Sequence, residues 1–278
     1  MKRKNLLFIL FLIIITTICA AGDSPNMILV EGGSFIMGEQ GGQDNPAHKV
    51  ILDSYYIAAT EVTVKEWKQF TEAENIPFPW ESFSFLSLVG RNVGFKLPED
   101  WPIYYVTWYE VVWYCNWLSK KEGLEPAYEI DYQQLRMYLY ERKGEGPKIL
   151  WNKKANGYRL PTEAEWEFAA TERGSLSELS AKDIDSVSWH RGNSDNSTHP
   201  VGTKLPNALG IYDMLGNVGE WCWDYFDAYY YMVSPLYNPT GPDKGIDIEN
   251  FRKNTTNIRS IRGDRKSTRL NSSHGKLS

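Results

Sequence analysis

The sequence predicts one α+β domain of a few capped helices and short strands set in much irregular chain. Three observations carry that reading. Helix-start signals recur three times, strand-like runs are short and confined to the first sixty residues, and the last third is rich in Asn, Asp, Gly, Pro and Ser interleaved with aromatics. With 278 residues and 42% hydrophobic content the chain can bury a sizeable core, and its 11 Trp and 17 Tyr are too many for a disordered protein.

The elements follow in order. Lys2–Lys4 and the apolar run Leu6–Ile15, followed by small residues at Ala20 and Ala21, form a secretory leader over residues 1–21. Ten apolar residues are too few to span a bilayer, which takes about 20. Lipid attachment at Cys19 is the variant, and the branched Ile18 before it argues against it. "MILVEGGSFIMG" (Met27–Gly38) reads as a hairpin or a tight strand-turn-strand, and "HKVILDSYYIAATEVT" continues with strand formers. Thr63-Val-Lys-Glu66, Thr107-Trp-Tyr-Glu110 and Thr162-Glu-Ala-Glu165 each match the capping box, in which Thr and Glu satisfy free amides of the first turn reciprocally. The second of these opens a helix over Trp108–Glu122, with Trp108, Val111, Val112, Cys115 and Leu118 on one stripe; Gly123 ends it and Gly174 follows the third.

Charge excludes one class of partner. Without the leader and the residues from Asp264 onward, 23 basic residues face 34 acidic ones, which gives nucleic acid no basic footprint. An acidic body suits cations instead. Cys115 and Cys222 lie in no zinc spacing and read as buried small side chains more readily than as a disulfide. No G-x-S-x-G and no phosphate-binding glycine loop occurs, and His190 and His199 flank a turn-rich stretch where satisfied loop histidines are expected. Asn196-Ser-Thr198 and Asn254-Thr-Thr256 fit the N-glycosylation pattern, which matters only in a eukaryotic secretory host.

The segment Asn207–Phe226, "NALGIYDMLGNVGEWCWDYF", concentrates Asp213, Asn217, Glu220 and Asp224 with three bend-permitting glycines. Mixed side-chain and backbone oxygens are what a hard cation such as calcium takes. Such turns also hydrogen-bond to themselves, so both readings stand at this point.

Taken together, "MILVEGGSFIMG", "ATEVTVKEWKQF", "PIYYVTWYEVVWYCNWLSKKEG", "NGYRLPTEAEWEFAA", "THPVGTKLPNALGIYDMLGNVGEWCWDYF" and "IRSIRG" resemble, in order, the formylglycine-generating enzyme or sulfatase-modifying factor family. The resemblance spans most of Met27–Gly263. It implies the family's loop-rich fold, distantly C-type-lectin-like, over residues 22–263. It also implies a calcium ion held by the side chains of Asn217 and Glu220 and the backbone oxygens of Val218 and Cys222. Gly219 stands where the family has Trp, which implies a lost packing aromatic and a looser loop.

The family's founding activity oxidises a sulfatase cysteine to formylglycine with oxygen and copper, the copper lying on two cysteines just after an "R-x-x-R-G-G-S-W" stretch. Here that pattern stops at Gly263. Asp264–His274, "DRKSTRLNSSH", is the in-frame translation of a common sequencing adapter, so residues 264–278 read as an artefact tail and the domain as incomplete at its C-terminus. No catalytic residue is therefore assigned, and copper is expected only where those cysteines exist. The expectation is an exported, non-catalytic binding or envelope module, with the copper oxidase as the alternative. Its partner would be a sulfatase or another exported protein, and a membrane would be reached only through a lipid at Cys19. The sulfoxide-synthase branch of the family needs a His-x-x-x-His-x-Glu motif, which is absent.

Overall fold

The computed structural model describes residues 24–42, 45–79, 98–175, 181–227, 229–243 and 258–263. The leader, Cys19, the sequon at Asn254 and the tail from Asp264 lie outside them.

Among the described residues the strands come in pairs, forming four antiparallel two-stranded sheets. β1 (Met27–Val30) pairs with β4 (Tyr55–Ala58), and β2 (Gly33–Met37) pairs with β3 (His48–Leu52). β1 and β2 are thus strand-turn-strand but not a hairpin. The turn at Glu31-Gly32 carries the chain from one sheet to the next, and a Cβ on Gly32 would lie 2.5 Å from the Leu52 carbonyl. β5 (Tyr128–Glu129) pairs with β6 (Leu150–Trp151), and β7 (Glu220–Tyr225) with β8 (Arg259–Arg262), with a register shift between Trp221 and Tyr225.

All three capping boxes form. The Thr63, Thr107 and Thr162 hydroxyls accept the Glu66, Glu110 and Glu165 amides at 3.2, 3.2 and 3.1 Å, and each Glu carboxylate accepts the Thr amide in return. Each cap contributes about 1 kcal/mol to its helix. They open α1 (Val64–Glu74), α2 (Trp108–Lys121) and α4 (Glu163–Ala170). Between α2 and α4, α3 (Tyr132–Tyr140) starts where Asp131 accepts the Gln134 amide. The short α5 (Ala181–Val187) and α6 (Tyr230–Val233) lie in the turn-rich third. Gly123 ends α2 as expected: its φ is +71°, and its amide and that of Leu124 bond back to the Lys120 and Ser119 carbonyls, a Schellman closure. Among the described residues no helix is long and apolar enough to cross a membrane.

α2 is the axle of the fold, and its burial exceeds the stripe read from its spacing. One side packs Trp113, Tyr114 and Leu118 against Trp67 and Phe70 of α1 and Leu135 of α3. The other packs Trp108, Val112 and Cys115 against Tyr128, Leu160, Trp151 and Trp223. Trp67 stacks on Tyr114 with centroids 5.2 Å apart, a contact of about 0.5–1.5 kcal/mol beyond area burial. Asn116, in the middle of α2, takes both backbone polar groups of Tyr128 and so pins β5. A separate cluster joins Val30, Phe35 and Val50 of the first strands to Phe168 of α4, Ile211 and Cys222.

β8 is bolted to α4. Arg262 bonds Glu163 at 3.2 Å and Glu167 at 2.5 Å, while Ser260 donates to Glu163. Arg259 lies over the rings of Trp108 and Tyr225, at 3.8 and 3.4 Å from their centroids, and donates to the Trp223 carbonyl.

Candidate metal centre

The oxygen-rich loop runs from Asp213 into the first residue of β7. Its shape is forced by backbone. Asp213 and Asn217 have φ of +57° and +63°, and a Cβ on Gly216 would fall 2.0 Å from the Trp189 carbonyl. The Gly216 amide returns to the Asp213 carbonyl and the Asn217 amide bonds the Trp189 carbonyl. The loop is therefore held before any ion is considered.

Three carboxyls lie close enough to repel one another: Glu61, which precedes α1, with Asp213 and Glu220. Glu61 and Asp213 are 8% and 1% exposed and adjoin within hydrogen-bonding reach. Glu61 Oε2 accepts from the Asn217 amide group at 3.2 Å, and Asp213 Oδ2 accepts the Gly202 amide at 2.7 Å. The second oxygen of each, Glu61 Oε1 and Asp213 Oδ1, is buried without a protein partner. Burial drives the Glu61 carboxyl well above the usual range, with Asp213 and Glu220 adding to the rise and Asn217 and Val218 opposing it. Burial likewise raises Asp213, and it pushes Glu220 up to about 7 against the Trp166 indole, with Asp213 raising it further.

Val218 and Glu220 of the expected ligand set both border Gly263. A Cβ placed on Gly263, whose φ is +98°, would lie 2.9 Å from the Val218 carbonyl oxygen and 3.6 Å from Glu220 Oε1. Both oxygens face the bare backbone at the end of β8. The other two expected ligands are engaged elsewhere. Asn217 is a cross-link, its Oδ1 accepting the His199 amide and its Nδ2 donating to Glu61 and to the His199 carbonyl. The Cys222 carbonyl accepts the Trp108 indole N–H at 3.0 Å. The bare oxygen of Asp213 was signalled by its place in the same loop. Glu61 carried no such signal, since an acid just before a capping Thr reads as part of a helix start.

Among the described residues no three His, Cys, Asp or Glu side chains converge as a metal-holding group. A cation here must draw on main-chain oxygen as well as carboxylates. The donors are all oxygen, two are buried and bare, and the surroundings are acidic, so the residues fit calcium. They do not fit copper. Cys115 and Cys222 are free, buried thiols in different core clusters. Burial pushes Cys115 up to about 12 and Cys222 well above its ordinary value, whereas Cu(I) is held by thiolates.

Gly219 is filled rather than loose. A Cβ there would meet Ile261 Cγ2 at 2.9 Å, so a side chain from β8 occupies the space an aromatic would need. His190 and His199 are satisfied as expected: His190 pairs with Asp185 at 2.7 Å, and His199 bonds the Ser194 carbonyl and stacks on Trp189 with centroids 3.7 Å apart.

The family described as "Sulfatase-modifying factor enzyme 1-like domain" matches residues 17–274. The chain is 34% identical over 253 residues to "Chaperone protein LppX" of Paenibacillus barcinonensis, covering 80% of this chain and 81% of that protein. It is 28% identical over 262 residues to the formylglycine-generating enzyme of Streptomyces coelicolor, covering 80% and 76%. Among solved structures, Treponema denticola variable protein 1 aligns with a TM-score of 0.65 at 29% identity, over 79% of this chain and 80% of that one. Capped helices among short paired strands are the fold these relatives share, the loop-rich, C-type-lectin-like arrangement expected from the sequence.

Proposed function

The chain belongs to the sulfatase-modifying factor family, and from that premise we propose that it is an exported, calcium-holding binding module of that fold and not an oxidase. The observation that carries this reading is the state of its thiols. Cys115 faces the α2–β5–β7 core and Cys222 the core under β2 and α4, both buried and both held in the neutral form. Thiolate chemistry needs an ionised, accessible sulfur. Among the described residues, neither Cys115 nor Cys222 offers copper such a ligand.

The calcium ion in this reading lies against Asp213, the Val218 carbonyl and Glu220, supported by the bare Asp213 oxygen and by the other two bordering Gly263. Export rests on the leader over residues 1–21, with a lipid at Cys19 as the sole membrane link. The partner is an exported protein, a sulfatase among the candidates. The name of the Paenibacillus relative, a chaperone protein, agrees with a role exerted by binding.

The formylglycine-generating relative keeps the oxidase as a second reading. The test is to incubate the full chain, with and without copper and a thiol reductant, with a peptide carrying Cys-x-Pro-x-Arg, and to follow the cysteine by mass spectrometry. The peptide is expected to keep its thiol mass. Copper-dependent appearance of an aldehyde reactive toward a hydrazide would overturn the binding-module reading.

A further inference from the structure

We propose that Arg259 and the tyrosines around it form a binding site for a carboxylate, held by the free N–H edge of the guanidinium. The site lies where the start of β8 meets the end of β7, the first turn of α2 and α3, and it stands whether or not the Asp213–Glu220 loop holds an ion.

Arg259 is packed among rings and left without a counter-charge. Its guanidinium lies 3.8 Å from the Trp108 centroid, 3.4 Å from that of Tyr225 and 5.1 Å from that of Trp223. Such contacts steady a positive charge but supply no oxygen to its N–H groups. Its hydrogen bond to protein goes to the Trp223 carbonyl. Among the described residues no Asp or Glu comes within ion-pair distance of it, whereas Arg262 has both Glu163 and Glu167, and Arg159 has Glu165. Asp224, an acid whose charge does reach it, is engaged by the Glu163 amide at 2.9 Å. Burial pushes the Arg259 pKa down to about 10. A half-buried guanidinium in this state lacks one negative partner.

The neighbours supply further donors. Tyr109 and Tyr225 lie close enough to couple electrostatically to Arg259, and Tyr138 meets Tyr109 edge-on with centroids 5.4 Å apart. Among the described residues none of the three hydroxyls bonds to protein, and none is sealed from water. A Cβ on Gly146 would stand 2.5 Å from Tyr109 Oη, so a glycine there leaves that hydroxyl uncovered. The walls are fixed before any ligand arrives: Trp223 stacks on Tyr128 at 5.2 Å, and the Trp108 indole is tied to the Cys222 carbonyl. A carboxylate presents two oxygens to a guanidinium edge and accepts phenol donors as well. One positive charge, in a chain with more acidic than basic residues, suits a monoanion over a phosphate dianion.

The full chain is titrated by calorimetry with an N-acetylated tripeptide, Ala-Ala-Tyr, free or amidated at its C-terminus, and with benzoate, benzamide and inorganic phosphate. Binding of the free peptide, of benzoate or of both, and not of the neutral amides, is the expected result. Peptide alone names a chain terminus as the source of the carboxylate, and benzoate alone names a small acid. Arg259→Gln is expected to weaken binding about 10-fold or more, and Tyr109→Phe with Tyr225→Phe, which keeps every ring, about 2- to 10-fold. No binding of either acid, equal binding of acid and amide, or tighter binding of phosphate would overturn the proposal. So would wild-type affinity in a folded Arg259→Gln. Should that variant fail to fold, the double Tyr variant decides, and wild-type affinity there overturns the proposal equally.

Discussion

Arg262→Ala removes the bolt between β8 and α4, and its cost can be worked from the contacts. The guanidinium faces two carboxylates, Glu163 at 3.2 Å and Glu167 at 2.5 Å, in side chains only 15%, 16% and 11% exposed. Breaking such a buried arrangement from one side costs about 3–5 kcal/mol, because the remaining charges stay desolvated. Both carboxylates keep one other donor, Ser260 for Glu163 and the Gly38 amide for Glu167, which places the loss toward the lower end, about 3 kcal/mol. For a domain of this size that lowers the Tm by roughly 6–12 °C. Thermal and urea melts followed by circular dichroism measure it. Replacing all three groups together, Arg262→Met with Glu163→Gln and Glu167→Gln, should recover most of the loss, because no charge is then left buried alone. A single Arg262→Ala variant within about 1 kcal/mol of wild type, the worth of a surface ion pair, would refute the reasoning.

Two further outcomes follow from packing and burial. Gly219→Trp should destabilise by about 1–3 kcal/mol through collision with Ile261, and Gly219→Trp combined with Ile261→Ala should recover part of that; equal stability of the two variants would show that Ile261 is not the obstacle. Cys115 and Cys222 should not react with a disulfide reagent at pH 8 in the folded protein and should react promptly in denaturant, since burial keeps the thiols protonated well above that pH. Rapid labelling without unfolding would contradict the neutral, buried state on which the binding-module reading rests.

Much of the helical framework was legible because its signals are local. A Thr with Glu three residues on satisfies two amides within one turn, and all three instances formed. Gly123 could be read as a stop because only one backbone conformation closes α2 there. Pairing of strands was less legible. β1 and β2 are adjacent in sequence, yet each takes a later partner, a choice made by packing under α4 and not by the Gly-Gly turn. β7 was hidden inside a segment that reads as a metal loop, although its alternating Trp221, Trp223 and Tyr225 is a strand pattern. α3 lacked a strong stripe: it buries Leu135 while leaving Met137 and Tyr138 partly exposed. In the site, Glu220 stood out in its oxygen-rich segment, and Val218 was named only by the family resemblance. The engagement of Asn217 with His199, and the arrival of Glu61 from far upstream, depend on tertiary contacts that no local window contains.

The closing contacts of the fold have consequences for the order in which it can assemble. Ile51 of β3 receives its outer neighbour from Leu236–Asn238, and Asp53 and Asn238 exchange hydrogen bonds across 185 positions. β7 likewise waits for β8. A nascent chain that has formed α1, α2 and the β2–β3 pair still presents raw strand edges until its last strands arrive. Loop closure over such separations is slow, and unpaired edges invite pairing with other chains. Yield on refolding should therefore be limited by self-association during this interval, a hazard set by topology and independent of how stable the finished molecule is.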